Sequence, residues 1–415
     1  MKGFLAAFSL ACLFPLPASA EHPVKAETFV DSVGIDVHLH YTDTNYFQKY
    51  PLVRQSLVQL HLRHLRDGLV ATPVPEYLQR FQELGGLGIH TIFISNFKES
   101  APILAAFPKR VGRTFEAFEA PNEADNQKDP NWAQELTAYM PVLASASAQT
   151  GFPVIGPSIV HVESYQSLTS LAAFAKFGNL HNYPGGRNPG TAGWGDGGYG
   201  SYDFAQRNLQ AIAPGQPIYT TETGYNNDPK GGSYVPENVS AKYMPRLVLM
   251  QYLHGAARTY IYELLSSGNE DFGLLRSDGT PKPAFGAMKS LMSLLDDHDP
   301  RPRADDLDLK VTAQSNAVQH LLLQRSNGHY YLAIWIEAPC YDVPKHLPIN
   351  VGSQQVAIDL PWKADAVALY QWNETGDAPR SSVEPGSHLS LTVSDFLTVV
   401  EITPPSKHNN APTSR

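Results

Sequence analysis

The chain has 415 residues, a formal net charge of −9 and two cysteines. Its 42% hydrophobic and 17% charged residues are typical of a folded globular protein and exclude wholesale disorder. The acidic balance argues against a nucleic-acid-binding surface, which needs clustered positive charge. Two cysteines allow at most one disulfide bridge, so a disulfide scaffold is also excluded. The length suggests two or three domains, or one large α/β barrel with an appended domain.

The first twenty residues have the pattern of a secretory signal peptide. Lys2 precedes an apolar run, Phe4–Leu16, and a Pro-Ala-Ser-Ala sequence ends at Ala20. The run is shorter than the roughly 20 apolar residues of a membrane helix, and a membrane anchor or a lipoprotein modified at Cys12 is the alternative. We expect cleavage after Ala20, which leaves Cys340 as the one thiol and indicates a secreted or periplasmic bacterial protein with no membrane span.

The middle of the chain alternates β-rich apolar runs with amphipathic stretches, at a period of about 33 residues. The predicted strands are Gly34–His40, His61–Leu69, His90–Asn96, Thr114–Glu123, Val154–Val160, Asn179–Tyr183, Pro217–Thr223 and Thr259–Leu264. The predicted helices are Phe47–Gln59, Glu76–Leu84, Ala101–Phe107, Trp132–Gln149, Ser164–Phe177, Tyr202–Ala213, Ser240–Gly255 and Ala284–Leu295. Eight such units with right-handed crossovers predict a (β/α)8 TIM barrel over residues 21–303. The competing fold is a doubly wound open sheet, but His38–Thr42 after the first strand does not resemble its glycine-rich turn.

A cluster of prolines and charges near residue 300 marks a linker, after which strand-like segments follow without helices. Residues 304–403 are predicted to form an antiparallel β-sandwich domain, and residues 404–415 a disordered tail. The linker is short and Trp335 lies within a strand, so we expect a structural appendage packed on the barrel. A carbohydrate-binding module is the alternative.

Two carboxylates fall at the carboxyl ends of predicted barrel strands, where barrel enzymes place their chemistry. Glu123 ends the fourth strand and Glu222 the seventh, and their spacing of 99 residues equals three periods. A glutamate in an apolar strand is unfavourable unless something uses it. Two carboxylates in one cleft meet the requirement of glycoside hydrolysis, whereas an ion pair with an arginine such as Arg66 is the purely structural alternative. Glu116 and Glu119 lie earlier on the fourth strand, below the rim.

This placement of Asn122-Glu123 and Glu222 resembles the signature of the retaining glycoside hydrolases of clan A, with a family 39 or family 5-like (β/α)8 barrel. The resemblance covers Gly34 to about Leu295, and the trailing β-domain is similar to that of several members, including the family 39 xylosidases. It implies that Glu123 is the general acid/base and Glu222 the nucleophile. It also implies that Asn122 binds the sugar hydroxyl beside the reacting carbon, that the carboxyls stand ~5–5.5 Å apart and that no cofactor is needed.

Three further residues match the clan pattern. His181-Asn182-Tyr183 ends the sixth strand, where a His or Tyr commonly touches the nucleophile in these enzymes. This implies that Tyr183 holds Glu222 ionised through its hydroxyl, with a packed aromatic as the alternative, and His181 is a candidate substrate contact. Arg66 resembles the clan's arginine on strand two, which supports the nucleophile electrostatically. Arg63 competes for this assignment.

His38 and His40 alternate with Asp36 on one face of the first strand. They are candidates for binding sugar hydroxyls. A His-x-His pair on a first strand also occurs in metal-dependent, amidohydrolase-like barrels, for which His161, His181 and an Asp would have to complete the metal ligands.

The eighth strand departs from the clan pattern because it carries Tyr260 and Tyr262 where many members have a sugar-stacking Trp. Trp194 is the candidate replacement, in the glycine-rich loop Pro184–Gly200. A loop of this length is a candidate lid or subsite wall, and a surface spacer is the alternative. Tyr262 remains a candidate substrate contact.

The sequence therefore predicts an exported retaining glycoside hydrolase that cleaves β-glycosidic bonds of an oligo- or polysaccharide. The alternative from another class is a non-catalytic barrel that binds glycans. The sequence leaves open the sugar, endo or exo action, and the oligomeric state.

Overall fold

The computed structural model describes residues 22–406 except 269, 299, 300, 302 and 303. The predicted signal peptide and residues 407–415 of the predicted tail lie outside this range. Among the described residues, no helix combines the length and apolar character needed to cross a membrane.

Eight parallel strands form a nearly closed barrel. Strands are numbered from β1 (Val24–Lys25), and the barrel consists of β2 (Val33–Asp36), β3 (His64–Gly68), β4 (His90–Ile94), β5 (Phe115–Glu119), β6 (Val154–Ile155), β7 (Gly178–His181), β8 (Ile218–Thr223) and β9 (Ala256–Ile261). Their order is β6-β5-β4-β3-β2-β9-β8-β7. The two ends of this order are β6 and β7, and the chain next to them is bridged by a hydrogen bond from the Gly156 amide to the Phe177 carbonyl at 2.9 Å. The predicted TIM barrel is confirmed, and an open doubly wound sheet is excluded because the strand order runs around the ring.

Helices follow most barrel strands. They are α1 (Ala26–Asp31), α2 (Asn45–Gln48), α3 (Tyr50–Gln59), α4 (Pro75–Gly86), α5 (Ala101–Val111), α6 (Trp132–Thr150), α7 (Tyr202–Leu209), α8 (Glu237–Leu253) and α9 (Pro283–Leu295). The predicted helix Ser164–Phe177 is wrong, since this segment contains a short 3-10 helix, Val162–Ser167, and then irregular chain. The Gln216 side chain donates to the carbonyls of Ala172 and Ala175, so contacts from another element replace helical hydrogen bonds there.

The C-terminal region is an antiparallel β-domain. Its strands are β10 (Lys310–Ala313), β11 (Val318–Gln324), β12 (Tyr330–Ile336), β13 (Tyr341–Asp342), β14 (Leu347–Pro348), β15 (Gln354–Asp359), β16 (Ala366–Gln371), β17 (Arg380–Val383), β18 (His388–Val393) and β19 (Thr398–Thr403). A six-stranded sheet has the order β1-β11-β12-β19-β16-β17, and a three-stranded sheet has the order β10-β15-β18. Apolar side chains of both sheets share one core. The N-terminal β1, which the predicted boundaries place in the barrel, pairs in parallel with β11 of this domain.

The six-stranded sheet packs its other face on the barrel, where Trp335 joins the same apolar core as helices α8 and α9. A buried ion pair crosses this contact, with Arg246 Nε 3.0 Å and Nη2 2.9 Å from the carboxylate of Glu337. Trp335 Nε1 donates to the same carboxylate at 2.8 Å. The β-domain thus packs on the barrel through a buried contact.

Candidate active site

The barrel interior contains an apolar layer below the carboxyl ends of the strands, which are polar. Ile92, Ala117, Ile155, Tyr219 and Tyr260 fill the lower part. Above them, at the end where parallel barrels bind ligands, lies a cleft of about 710 Å³. Of the residues predicted for the site, those that line this cleft are His38, His40, Arg66, Asn122, Glu123, Tyr183, Glu222 and Tyr262.

Glu222 lies near the end of β8 and is 8% exposed. Arg66 Nη1 donates to its Oε1 at 2.6 Å, and the Tyr183 hydroxyl donates to its Oε2 at 2.8 Å. Burial by itself would raise the pKa of Glu222, but the charges of His181 and Arg66, with the hydrogen bonds from Arg66 and Tyr183, bring that pKa below its usual value. These contacts favour the ionised form of Glu222.

Glu123 lies beyond its strand rather than at its end. The predicted strand Thr114–Glu123 is too long, because β5 stops at Glu119 and the chain then turns, with Glu123 in a left-handed conformation at φ 43°. The Ser158 hydroxyl accepts a hydrogen bond from the Glu123 amide at 3.2 Å and so fixes the turn. Such strained positions recur at functional sites. The turn directs the Glu123 side chain into the cleft, where it is 23% exposed.

His181 lies between the two glutamates. Its Nδ1 is 2.7 Å from Glu123 Oε1 and 3.5 Å from Glu222 Oε2. One carboxylate oxygen of each glutamate and one ring nitrogen of His181 all lie within 4.8 Å of one another. The three atoms have the spacing of metal ligands, but Glu222 already accepts hydrogen bonds from Arg66 and Tyr183. A guanidinium in this position repels a cation, so the arrangement fits a carboxylate pair better than a metal site.

Arg66 holds the centre of the site together and is 2% exposed. Besides Glu222, it binds Glu119 through Nε at 2.8 Å and Nη2 at 2.9 Å, and Nη2 also donates to Asn122 Oδ1 at 2.6 Å. Arg63, the competing candidate, instead pairs with Glu27 and Asp296 away from the cleft. The arginine of the site is therefore Arg66, and it contacts both Glu222 and the side-chain amide of Asn122, next to Glu123.

His38 and His40 lie in the cleft wall, beyond the first barrel strand, which ends at Asp36 and not at the predicted His40. His38 Nε2 is 3.3 Å from Glu263 Oε2, and His40 Nδ1 pairs with Asp67. His161 is exposed and contributes to no group of metal ligands. Within the described part of the chain, the histidines required for an amidohydrolase-like metal centre are not brought together.

Trp194 does not line the cleft in the described structure. Its ring lies behind Gly185 and stacks on the Arg187 guanidinium, whose central carbon is 4.1 Å from the ring centroid. Tyr262 lines the cleft beside Phe272, with ring centroids 5.7 Å apart in an edge-to-face arrangement. These two rings offer the stacking surface that the sequence suggested for Trp194.

Two residues of the site had only a weak signal in the sequence. Asp36 is identifiable there only as a strand neighbour of His38, yet it is 1% exposed and lies 3.5 Å from Arg66 Nη1. Phe272 follows the last strand in a segment that resembles a turn. Its place in the cleft depends on how that segment folds back over the barrel.

No family model and no curated protein matches this chain. Among solved structures, an arabinofuranosidase superposes with a TM-score of 0.58 at 10% identity, covering 92% of this chain and 98% of that one. A Rhizomucor miehei β-1,3-glucanosyltransferase mutant in complex with laminaritriose superposes with a TM-score of 0.45 at 15% identity, covering 61% of this chain and 96% of that one. A GH128 endo-β-1,3-glucanase from Amycolatopsis mediterranei in complex with laminaripentaose superposes with a TM-score of 0.40 at 14% identity, covering 63% of this chain and 99% of that one. The first supports the fold, a TIM barrel followed by a β-rich domain.

Proposed function

We propose that the protein is a retaining glycoside hydrolase that cleaves β-glycosidic bonds of an oligo- or polysaccharide. The observation that carries this proposal is the pair Glu123 and Glu222, which face one cleft with carboxylate oxygens within 4.8 Å of each other. Their surroundings differ, since Glu222 is paired with Arg66 whereas Glu123 contacts His181. Two carboxylates in unequal environments are the requirement for an acid and a nucleophile.

In the proposed reaction, Glu123 protonates the leaving oxygen while Glu222 attacks the anomeric carbon and forms a glycosyl ester. Glu123 then removes a proton from the water that hydrolyses this ester. The short oxygen–oxygen distance supports retention, because retaining enzymes keep their carboxyls about 5–5.5 Å apart and inverting enzymes about 6.5–9.5 Å. Asn122, fixed by Arg66, is placed to bind the hydroxyl next to the reacting carbon.

We further propose that the sugar bound at the reacting centre is uncharged. Among the described residues that line the cleft, Arg66 is the one arginine and there is no lysine. The hydrogen bonds of Arg66 already go to Glu119, Asn122 and Glu222. The carboxylate of a uronate would therefore lie beside the carboxylates of the cleft with no unpaired arginine or lysine in the described lining to neutralise it. Such a placement is unfavourable for a negative charge. Glu270, exposed in the same wall, adds to the negative field.

The site of action is proposed to be outside the cytoplasm, which rests on the signal-peptide pattern that ends at Ala20. Mass spectrometry of the N-terminus after expression in a bacterial host tests this. A mature chain that starts at Glu21 in the periplasm or medium supports the proposal, and an intact N-terminus at Met1 contradicts it.

The test of activity is a panel of activated 2-fluoro-glycosides, neutral and uronic, followed by peptide mapping. Labelling of Glu222 by a neutral sugar is expected, and Glu222→Gln should lose it. Glu270→Gln, which changes an exposed carboxylate of the same cleft, is the matched control and should still be labelled. Labelling by uronic sugars alone would refute the substrate class, while a panel with no label and full activity in Glu222→Gln would refute the mechanism.

A further inference from the structure

Asp36 is a buried carboxyl without a hydrogen-bond partner at the centre of the site. It ends β2 and is 1% exposed. Neither of its oxygens has a hydrogen-bond partner among the described residues. The nearest cation, Arg66 Nη1, is 3.5 Å from Asp36 Oδ2, whereas the same nitrogen is 2.6 Å from Glu222 Oε1. A buried carboxylate is normally paired and hydrogen-bonded, so this one requires an explanation.

The surrounding charges are unbalanced. The ionisable groups that act on Asp36 are Arg66 from β3, Glu119 from β5, Glu222 from β8, Glu263 and Tyr262 after β9, and Tyr183 after β7. His38 lies two residues beyond the end of β2. Four carboxyls thus share one guanidinium. If all four were ionised, three negative charges would be uncompensated by arginine in a buried layer, which is costly.

The hydrogen bonds show which carboxyl can be neutral. Glu119 accepts from Arg66 Nε and Nη2, and from Asn179. Glu263 accepts from the Tyr46 hydroxyl at 3.0 Å and from the Ser267 amide and hydroxyl at 3.1 and 2.9 Å. Each of these is stabilised as an anion by its donors. Asp36 has no such donor.

We propose that Asp36 carries a proton in the resting protein and acts as a positioning residue, leaving Arg66 Nη1 directed at Glu222. Burial raises the pKa of Asp36 well above its usual value; Arg66 opposes this, and the charges of Glu222, Glu119 and Glu263 add to it. An ionised Asp36 competes with Glu222 for Nη1 and adds negative charge beside the nucleophile. The protonation state does not depend on the proposed function, whereas its effect on rate does.

Infrared difference spectroscopy of the full chain tests the protonation without any substrate. The spectrum of the wild type minus that of Asp36→Asn should contain the C=O stretch of a protonated carboxyl at neutral pH. Glu119→Gln is the matched control from the same layer, and its difference spectrum should contain carboxylate bands instead. Absence of a protonated-carboxyl band for Asp36 would overturn the proposal. If Asp36→Asn does not fold, ¹³C-aspartate labelling of the wild type must shift such a band, and failure to do so has the same meaning.

The positioning role is tested by kinetics on a substrate with a good leaving group, because such a leaving group needs no protonation by Glu123. Asparagine resembles a neutral acid, so kcat/KM of Asp36→Asn should fall by about threefold, against roughly 100-fold for Glu119→Gln, which breaks a buried ion pair. The wild type should also lose activity at alkaline pH where Asp36→Asn does not. The positioning role would be refuted if Asp36→Asn and Glu119→Gln lost kcat/KM equally. It would also be refuted if the alkaline limbs of the pH profiles of the wild type and Asp36→Asn coincided. If the protein has no glycosidase activity, the infrared result still decides the protonation state, which separates the two proposals.

Discussion

Replacing Tyr183 with phenylalanine removes one hydroxyl group from the site and keeps the ring. That hydroxyl donates to Glu222 Oε2 at 2.8 Å, and Arg66 holds the other oxygen at 2.6 Å. The hydrogen bond stabilises the ionised form of Glu222 and contributes to its lowered pKa. Without this donor, the carboxylate loses stabilisation and its pKa rises.

The size of the effect follows from the kind of bond. A hydrogen bond to a charged group contributes about 1.5–3 kcal/mol. Each pKa unit corresponds to about 1.4 kcal/mol, so the upper limit is a rise of about one to two units. Since Arg66 and His181 still face Glu222, we expect the lower value, about one unit and a roughly tenfold lower kcat/KM at acid pH.

The assay is kcat/KM against pH with the aryl glycoside that the labelling panel identifies. Glu222 must be ionised to attack, so activity disappears as the pH falls through its pKa, and the acid limb of Tyr183→Phe should lie about one unit higher than that of the wild type. Tyr225→Phe is the control because it also removes a buried hydroxyl, one that donates to the Arg187 carbonyl at 3.0 Å and does not contact Glu222. An unshifted acid limb in Tyr183→Phe would show that the hydrogen bond does not set the charge of Glu222.

Three further predictions concern the acid, the domain contact and the barrel base. Glu123→Ala should lower kcat on natural substrates by about 10²–10⁴-fold yet spare good leaving groups, and azide should restore turnover of the latter; lack of rescue would contradict its role as acid/base. Glu337→Ala leaves Arg246 buried and unpaired, so the free energy of unfolding should fall by about 3–5 kcal/mol in a urea titration, and a loss under 1 kcal/mol would contradict the buried pair. Burial favours a higher pKa for Glu116, but His64 and Arg258 outweigh it and lower that pKa to about 2. The contribution of Glu116 to stability is therefore complete above pH 4.5 and is lost as the pH falls towards 2. The stability difference between wild type and Glu116→Gln should shrink over that range, and a constant difference would refute the assignment.

Much of the barrel was predictable because its signal is local and repeated. Parallel strands are buried on both faces, so each appears as a short apolar run, and the helices between them keep the spacing regular. Glu222 was predictable for this reason, as a carboxylate near the end of such a run. The segment Ser164–Phe177 shows the limit of the signal, because it has helical spacing but satisfies its carbonyls through Gln216.

The sequence by itself determined most of the strand–helix alternation, the change to β-strands after residue 303 and the approximate positions of the barrel strands, because each depends on burial along a short stretch of chain. The tertiary structure alone decided how the ends of those strands meet. It placed Glu123 four residues beyond β5 in a left-handed turn, turned Trp194 onto Arg187, and paired β1 with the C-terminal sheet. It also left Asp36 without a donor beside Arg66. Such features depend on contacts between segments far apart in the chain, which no local pattern of residues records.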